Sequence, residues 1–202
     1  MNPIGESLED LEDAELVDQA RQGESAAYEV LVSRHRDKIY ARAFSMVRSE
    51  EQALDLSQEA WIKAWRKLHQ FHGDSSFVTW LTRVTINICL DHLRKRKRER
   101  SESIEELDEN QGGVERKLPL FEINPTERLE RQELRTAIDK GLAQLSADHR
   151  TVLVLHQFEG LEYKEVAERM NCSIGTVMSR LFYARKKLAA LLIDLKCERE
   201  NR

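Results

Sequence analysis

The stretch from Leu161 to Leu181, LEYKEVAERMNCSIGTVMSRL, constrains the fold more than any other part of the chain. It reads as a short amphipathic helix, a tight polar turn at Asn171-Cys-Ser173, and a second helix that opens on Ser173. At helical period Val177, Leu181, Ala184 and Leu188 form one apolar stripe, while Gly175, Thr176, Ser179, Phe182, Tyr183 and Lys186 lie opposite. Val166, Ala167 and Met170 give the first helix an apolar side, and the Asn and Ser of the turn supply turn and N-cap chemistry. This is the pattern of a helix-turn-helix, whose second helix can enter the major groove of duplex DNA while the first crosses the phosphate backbone. An ordinary helical hairpin with a solvated face has the same spacing, so the rest of the chain has to decide.

With 202 residues, 41% hydrophobic and 34% charged, the chain can build one large core or two small ones. Nothing in it resembles a transmembrane span, and the acidic start from Met1 to Glu15 lacks the basic and apolar runs of a secretory signal, which predicts a cytoplasmic protein. Cys89, Cys172 and Cys197 have neither disulfide-framework nor zinc-finger spacing and read as plain thiols, with Cys89 a small core residue. His69, His72 and Cys89 make a poor metal set, because the histidines flank a loop and no fourth ligand is implied. Neither a metal nor any other cofactor is expected.

A net charge of −4 looks wrong for a DNA binder until the charges are located. Arg94 to Arg100 carries six basic residues in seven, whereas Ser101 to Glu115 carries acids at Glu102, Glu105, Glu106, Asp108, Glu109 and Glu115 and no Lys or Arg. Such segregation suits one surface for nucleic acid and another for a basic protein.

Helix signals are dense and strand signals nearly absent, so the expected class is all-α, with two helical domains joined by an acidic flexible linker. The N-terminal domain, residues 1–100, holds a short helix near Ala14 to Gln22 ended by Gly23 and a helix from Ser25 to about Val47. A third runs from the capping box Ser49-Glu-Glu-Gln52 to about Leu68, and a fourth from Ser75 or Ser76 to about Arg98. The linker occupies 101–123, where Gly112-Gly113, Pro119 and the acidic run break periodicity. Asn124-Pro-Thr-Glu127 restarts a helix, and the C-terminal domain, 124–202, has helices near 125–142, 147–158, 162–170 and 173–194.

Three constellations in the N-terminal domain bear on function. On the helix from Glu50, Leu54, Trp61, Trp65 and Leu68 share an apolar face predicted to be core, with Gln58 at its edge. Asp55 and Glu59, one turn apart on the polar face, can pair with Arg or Lys of a protein partner, or Glu59 can pair with Lys63 on a merely solvated face. The segment Phe71-His-Gly-Asp-Ser-Ser-Phe-Val-Thr-Trp80 mixes aromatics with small polar residues, as a loop that stacks an unpaired base does. Phe77 and Trp80 read as anchors of the next helix, leaving Phe71, His72, Gly73, Asp74, Ser75 and Ser76 as loop candidates. Arg83, Asn87 and Arg94 share a face of the following helix that runs into the basic cluster and suits phosphate contact.

Taken in order, Asp55 to Trp65, Phe71 to Leu81, the acidic linker and the helix-turn-helix from Leu161 to Tyr183 resemble bacterial RNA polymerase sigma factors of the extracytoplasmic-function group. The similarity runs from about Asp13 to Leu192. The resemblance implies a protein without catalysis of its own that recruits core polymerase to promoters, often in stress responses. In it Asp55, Gln58 and Glu59 match contacts to the clamp helices of the largest polymerase subunit. Phe71 to Ser76 match the loop that receives a base flipped from the −10 non-template strand, with Arg83, Asn87 and Arg94 along that strand. Residues 173–186, with Ser173, Gly175, Thr176, Ser179, Arg180, Phe182, Tyr183 and Lys186, match the helix that reads the −35 duplex. The linker matches the connector along the polymerase's RNA exit path, and an anti-sigma partner is expected. Met178 and Tyr183 stand where many relatives have Arg, so the −35 sequence cannot be borrowed from them; Phe182 can meet a thymine methyl, and Arg180 or Lys186 a phosphate or guanine.

The main rival is a conventional helix-turn-helix regulator, which predicts operator binding without polymerase but gives the aromatic loop and the Asp55 face no role. A hydrolase lacks an acid, base and nucleophile set at workable spacing, and a helical scaffold leaves the basic cluster unexplained.

Overall fold

The computed structural model describes residues 7–102 and 136–200. The described elements are α1 (Asp13–Arg21), α2 (Ser25–Val47), α3 (Glu50–Lys67), a 3-10 turn (Leu68–Gln70), α4 (Phe77–Glu102), α5 (136–143), α6 (Ala147–Leu153), a π turn (Val154–Phe158), α7 (Tyr163–Met170) and α8 (Ile174–Glu200). Among the described residues there is no strand, and no helix is long and apolar enough to cross a membrane. The linker from 103 onward and the expected helix start at Asn124-Pro-Thr-Glu127 lie outside the described residues; Ser101 and Glu102 still belong to α4. The chain divides into two compact units, one of Met1–Phe44 with Glu50–Arg96 and one of Ser45–Ser49 with Lys97–Arg202.

Local chemistry sets the helix ends of the first unit. α1 starts at a reciprocal capping box in which the Glu12 backbone N–H donates to Glu15 Oε2 at 3.0 Å, and it stops at Gln22 before Gly23. α4 starts after Ser76, whose carbonyl and Oγ both accept the Thr79 N–H, at 3.0 and 3.3 Å. Of the two serines offered as caps, Ser76 is therefore the one used.

The core of this unit is made by Leu16 and Val17 of α1, Ala27, Leu31, Ile39 and Ala43 of α2, Ala53, Ala60, Trp61 and Ala64 of α3, and Phe77, Leu81, Ile86 and Cys89 of α4, all buried. Small alanines along α3 let the helices approach closely, while Trp61 fills the remaining volume. Tyr28 meets the Trp61 ring edge-on, 5.8 Å between centroids, and donates its hydroxyl to the Trp61 carbonyl at 2.7 Å. Thr82 and Thr85 are buried because their hydroxyls donate back to the carbonyls of Val78 and Leu81, at 2.7 and 2.9 Å.

In the second unit Leu142, Leu145, Val152, Leu153, Val154 and Leu155 form one side of the core, and Val166, Ala167, Val177, Leu181 and Ala184 the other. Arg150 is buried among them, where its guanidinium donates to the carbonyls of Leu142 and Leu145, both at 2.9 Å, and satisfies the end of α5. The expected helix 147–158 is regular only to Leu153 and widens into the π turn. Gly160, at φ +69°, then turns the chain into α7 in a conformation that a side chain would strain.

Candidate functional site

The helix-turn-helix is built as its sequence indicates. α7 opens on a capping box, with the Glu162 N–H donating to Glu165 Oε2 at 2.8 Å. It closes where Asn171 adopts the left-handed conformation, φ +48°, so that the Cys172 N–H reaches back to the Ala167 carbonyl at 3.0 Å. α8 starts at once: Ser173 Oγ accepts the Thr176 N–H at 3.1 Å and lies 2.9 Å from Thr176 Oγ1. Val177, Leu181 and Ala184 are buried and Leu188 is half-buried, as the stripe predicts. On the opposite side Ser173, Gly175, Ser179, Phe182, Tyr183 and Lys186 are exposed, and Thr176 is half-buried.

One expected contact is already engaged within the chain. The Arg180 guanidinium is half-buried and donates to Asp148 Oδ2 of α6 at 2.6 Å, a charge-assisted pair rather than a side chain waiting for phosphate or guanine. The large exposed side chains of the first turns of α8 are apolar or aromatic: Ile174 is 46% exposed and Met178 54%, on the flank between the buried stripe and the opposite side, and Phe182 is 62% and Tyr183 61% exposed. The Phe182 and Tyr183 rings meet edge-on, 5.6 Å apart. Ile174 shares the side of Leu181 by periodicity yet is exposed, because it is the first residue of α8 and lies beyond the packed part of the stripe; with Met178 and Phe182 it forms a row at one residue per turn.

The loop before α4 corrects one expectation. Phe71 does not stand ready to stack a base: it is only 8% exposed and lies 5.4 Å from the Trp80 ring and 6.0 Å from Phe77, with the Arg21 guanidinium 5.8 Å over its own ring. A ring closes the core here because the 3-10 turn after α3 points residue 71 inward, its N–H bonded to the Leu68 carbonyl at 3.1 Å. Phe77 is buried and Trp80 half-buried, in keeping with their reading as anchors. His72, Gly73 and Asp74 are exposed at the loop tip, with Gly73 at φ +83°, and Ser75 is half-buried. Ser76 is exposed but committed as the cap of α4, its Oγ also 2.7 Å from Thr79 Oγ1. Arg83, Asn87 and Arg94 are exposed along α4, and Arg94 donates to Asp91 at 2.9 Å.

On α3, Asp55, Gln58 and Glu59 are exposed side by side. Neither Asp55 nor Glu59 has an ion-pair partner among the described residues. The predicted apolar face is rotated: the buried stripe is Ala53, Leu56, Ala60, Trp61, Ala64 and Leu68, while Leu54 and Trp65 are exposed. The correction follows from register: Ala53, Leu56, Ala60 and Ala64 recur at three- and four-residue spacing beside Trp61, and Leu54 falls one position off that face. Leu54 and Ile62 therefore flank the acidic pair, and the surface is apolar and acidic at once. Among the described residues no group of three or more His, Cys, Asp or Glu is arranged to hold a metal ion.

These surfaces coincide with known families. The Sigma-70 region 2 profile matches residues 31–99, and the Sigma-70 region 4 profile matches residues 135–188. The chain is 38% identical over 185 residues to the RNA polymerase sigma-H factor of Pseudomonas aeruginosa, covering 91% of this chain and 95% of that protein. It is 34% identical over 184 residues to the ECF RNA polymerase sigma-E factor of Escherichia coli, covering 89% and 94%. Among solved structures, the sigma factor RpoE of Bartonella quintana, crystallised with the anti-sigma factor NepR, superposes with a TM-score of 0.50 at 26% identity, covering 82% of this chain and 96% of that one. Two regions in the right order, together with relatives aligned nearly end to end, place this chain in the sigma-70 family as an RNA polymerase sigma factor of the extracytoplasmic-function group.

Proposed function

We propose that two domains divide promoter recognition between them, with residues 1–100 engaging core polymerase and the −10 element, 101–123 linking, and 124–202 reading the −35 duplex. Asp55, Gln58 and Glu59, framed by Leu54 and Ile62, dock on the basic clamp helices of the largest polymerase subunit. The single observation that supports this best is the pair of uncommitted carboxylates at the centre of an exposed apolar frame on α3. Charge complementarity there sets orientation and rate, and apolar burial adds affinity.

His72, Gly73, Asp74 and Ser75 at the loop tip receive an unstacked base of the −10 non-template strand, and Arg83, Asn87 and Arg94 follow its backbone. Phe71 and Ser76 serve this loop from behind, as core anchor and helix cap. Ser173, Gly175, Thr176, Ser179, Phe182, Tyr183 and Lys186 line the −35 groove. Gly175 fits that role on independent grounds: a Cβ there would meet nothing closer than Ser173 Oγ at 3.8 Å, so packing within the chain does not demand glycine. A helical glycine costs about 1 kcal/mol relative to alanine, and close approach of a DNA strand is a reason to keep it. The protein works in the cytoplasm without catalysis of its own, and an anti-sigma factor holds it in reserve, as the complexed relative suggests.

The test is transcription by the purified chain with sigma-free core polymerase on fragments of its own genome. Discrete transcripts that need both components, lost with Asp55→Lys or Glu59→Lys while melting temperature is kept, are the expected result. Tight polymerase-independent binding that ignores both substitutions would instead establish a conventional regulator.

A further inference from the structure

The reading face of α8 is unusual in what its polar groups are doing. Ser173 Oγ accepts the Thr176 N–H at 3.1 Å and shares a hydrogen bond with the Thr176 hydroxyl at 2.9 Å, Ser179 Oγ donates to the Thr176 carbonyl at 3.0 Å, and Arg180 is held by Asp148 at 2.6 Å. Most of the hydrogen-bonding groups in the first two turns are thus spent on the protein itself. What projects outward at one residue per turn is Ile174, Met178 and Phe182, each close to half exposed or more.

Major-groove edges of base pairs offer donors and acceptors, and one prominent apolar group: the C5-methyl of thymine. An apolar stripe laid in that groove has little else to recognise. Four residues of helix rise about 6 Å, close to two base steps of about 3.4 Å each, so successive members of the stripe can address thymines about two steps apart. The geometry points to Ile174, Met178 and Phe182 as specificity-determining residues that select thymine by its methyl groups. This rests on the duplex-reading role proposed above and adds the chemistry by which bases are chosen.

Deoxyuridine differs from thymidine only by that methyl, so it tests the mechanism without altering pairing. The full chain with core polymerase is assayed on a promoter recovered as above, with each thymine of the upstream element replaced singly by deoxyuridine and transcription read at limiting holoenzyme. At one or more positions the loss is about fourfold per methyl. Met178→Ala and Phe182→Ala, both at exposed positions that spare the fold, bring the thymine-to-deoxyuridine ratio at the affected positions toward one, and Met178→Leu retains it.

Equal activity with deoxyuridine at every position, or a ratio unchanged in both alanine variants, overturns this inference while leaving the sigma reading standing, and would assign the stripe to a protein partner. Absence of any polymerase-dependent transcript from the unmodified promoter would remove the duplex-reading role and this inference together.

Discussion

Two adjacent residues of α8 offer a sharp test of the rotation of the recognition helix. Leu181 is 2% exposed, between Val177 and Ala184 in the buried stripe, whereas Phe182 is 62% exposed. Truncating Leu181 to alanine removes three carbons from the core. At about 0.8 kcal/mol per buried methylene the transfer loss is near 2.4 kcal/mol, and the unfilled cavity brings the total to about 2–5 kcal/mol. A domain of some tens of residues has only about 0.05–0.15 kcal/mol of stability per residue, so this loss is a large fraction of what holds the second unit folded. With about 4–8 °C of Tm per kcal/mol for a small domain, Leu181→Ala lowers the melting of that unit by roughly 8–40 °C. Phe182→Ala, although it removes a larger side chain, changes stability by no more than about 0.5 kcal/mol because the ring is already in water. Differential scanning calorimetry of the full chain resolves the two, since only the transition belonging to the second unit moves. If Phe182→Ala lowered that transition as much as Leu181→Ala, or if Leu181→Ala left it unmoved, α8 would be rotated about its axis and the reading face assigned here would be wrong.

Ser173→Ala removes the cap of α8 and costs about 1 kcal/mol, with Ser173→Gly costing only a few tenths, a ranking readable in the same calorimeter. Phe71→Ala destabilises the first unit by about 3–5 kcal/mol because it empties part of the core, while Asp74→Ala at the exposed loop tip leaves the melting temperature alone and lowers promoter opening, as followed by permanganate footprinting. Burial, and secondarily the Glu59 carboxylate, push the Cys89 thiol up to about 12. Cys89 therefore resists thiol reagents at pH 8 until the chain unfolds, in mass-spectrometric labelling, while the half-buried Cys172 reacts before it. Because the folded value is raised, the neutral thiol's contribution to stability is fully present below the unfolded value of about 8.5 and is lost as pH rises toward 12, so urea midpoints fall across that alkaline window and Cys89→Ala removes that part of the decline.

The helices were legible because their signals are local. Ser76 with Thr79 and Ser173 with Thr176 satisfy helix ends within three residues and show in the sequence as caps, whereas the Glu12–Glu15 and Glu162–Glu165 boxes, with Glu in place of Ser or Thr at the cap, were not read from it. The buried stripe of α8 was equally plain, since large apolar residues at helical spacing mark a face without reference to anything else. What failed was whatever depended on a neighbour distant in sequence. Leu54 looks more like core than Ala53 does, yet close helix packing buries the alanines of α3 and leaves Leu54 outside. Phe71 looks like loop until Trp80 and Phe77 are seen to close on it. Arg180 looks like a phosphate ligand until Asp148, 32 residues earlier, is found beside it. Periodicity reports which residues share a face; it cannot report what already occupies that face.

The pairing of Arg180 with Asp148 also bears on why such a chain needs polymerase at all. Binding to bulk DNA scales with the number of phosphates neutralised, and each cation withdrawn lowers the salt-dependent, sequence-independent term. Here an arginine of the reading helix is neutralised within the chain, the bulky outward side chains next to it are apolar, and the net charge of the whole is −4. If α8 reads duplex DNA as proposed, Arg180 adds less to the sequence-independent term than a free arginine would, and the exposed Arg185 and Lys186 remain for phosphate contact. On the function proposed above, docking of the α3 surface on polymerase would make the −35 contact an intramolecular event at high effective concentration, so that weak apolar recognition would suffice. On that reading discrimination is best when α8 contributes little affinity of its own, so Asp148→Asn, which frees Arg180 and also Lys97, paired with the same Oδ2 at 3.2 Å, should raise binding to unrelated DNA in low salt more than it raises promoter-specific transcription. Comparing competitor-DNA retention with runoff transcript yield checks this; an equal gain in both would mean that charge, not methyl contact, limits recognition.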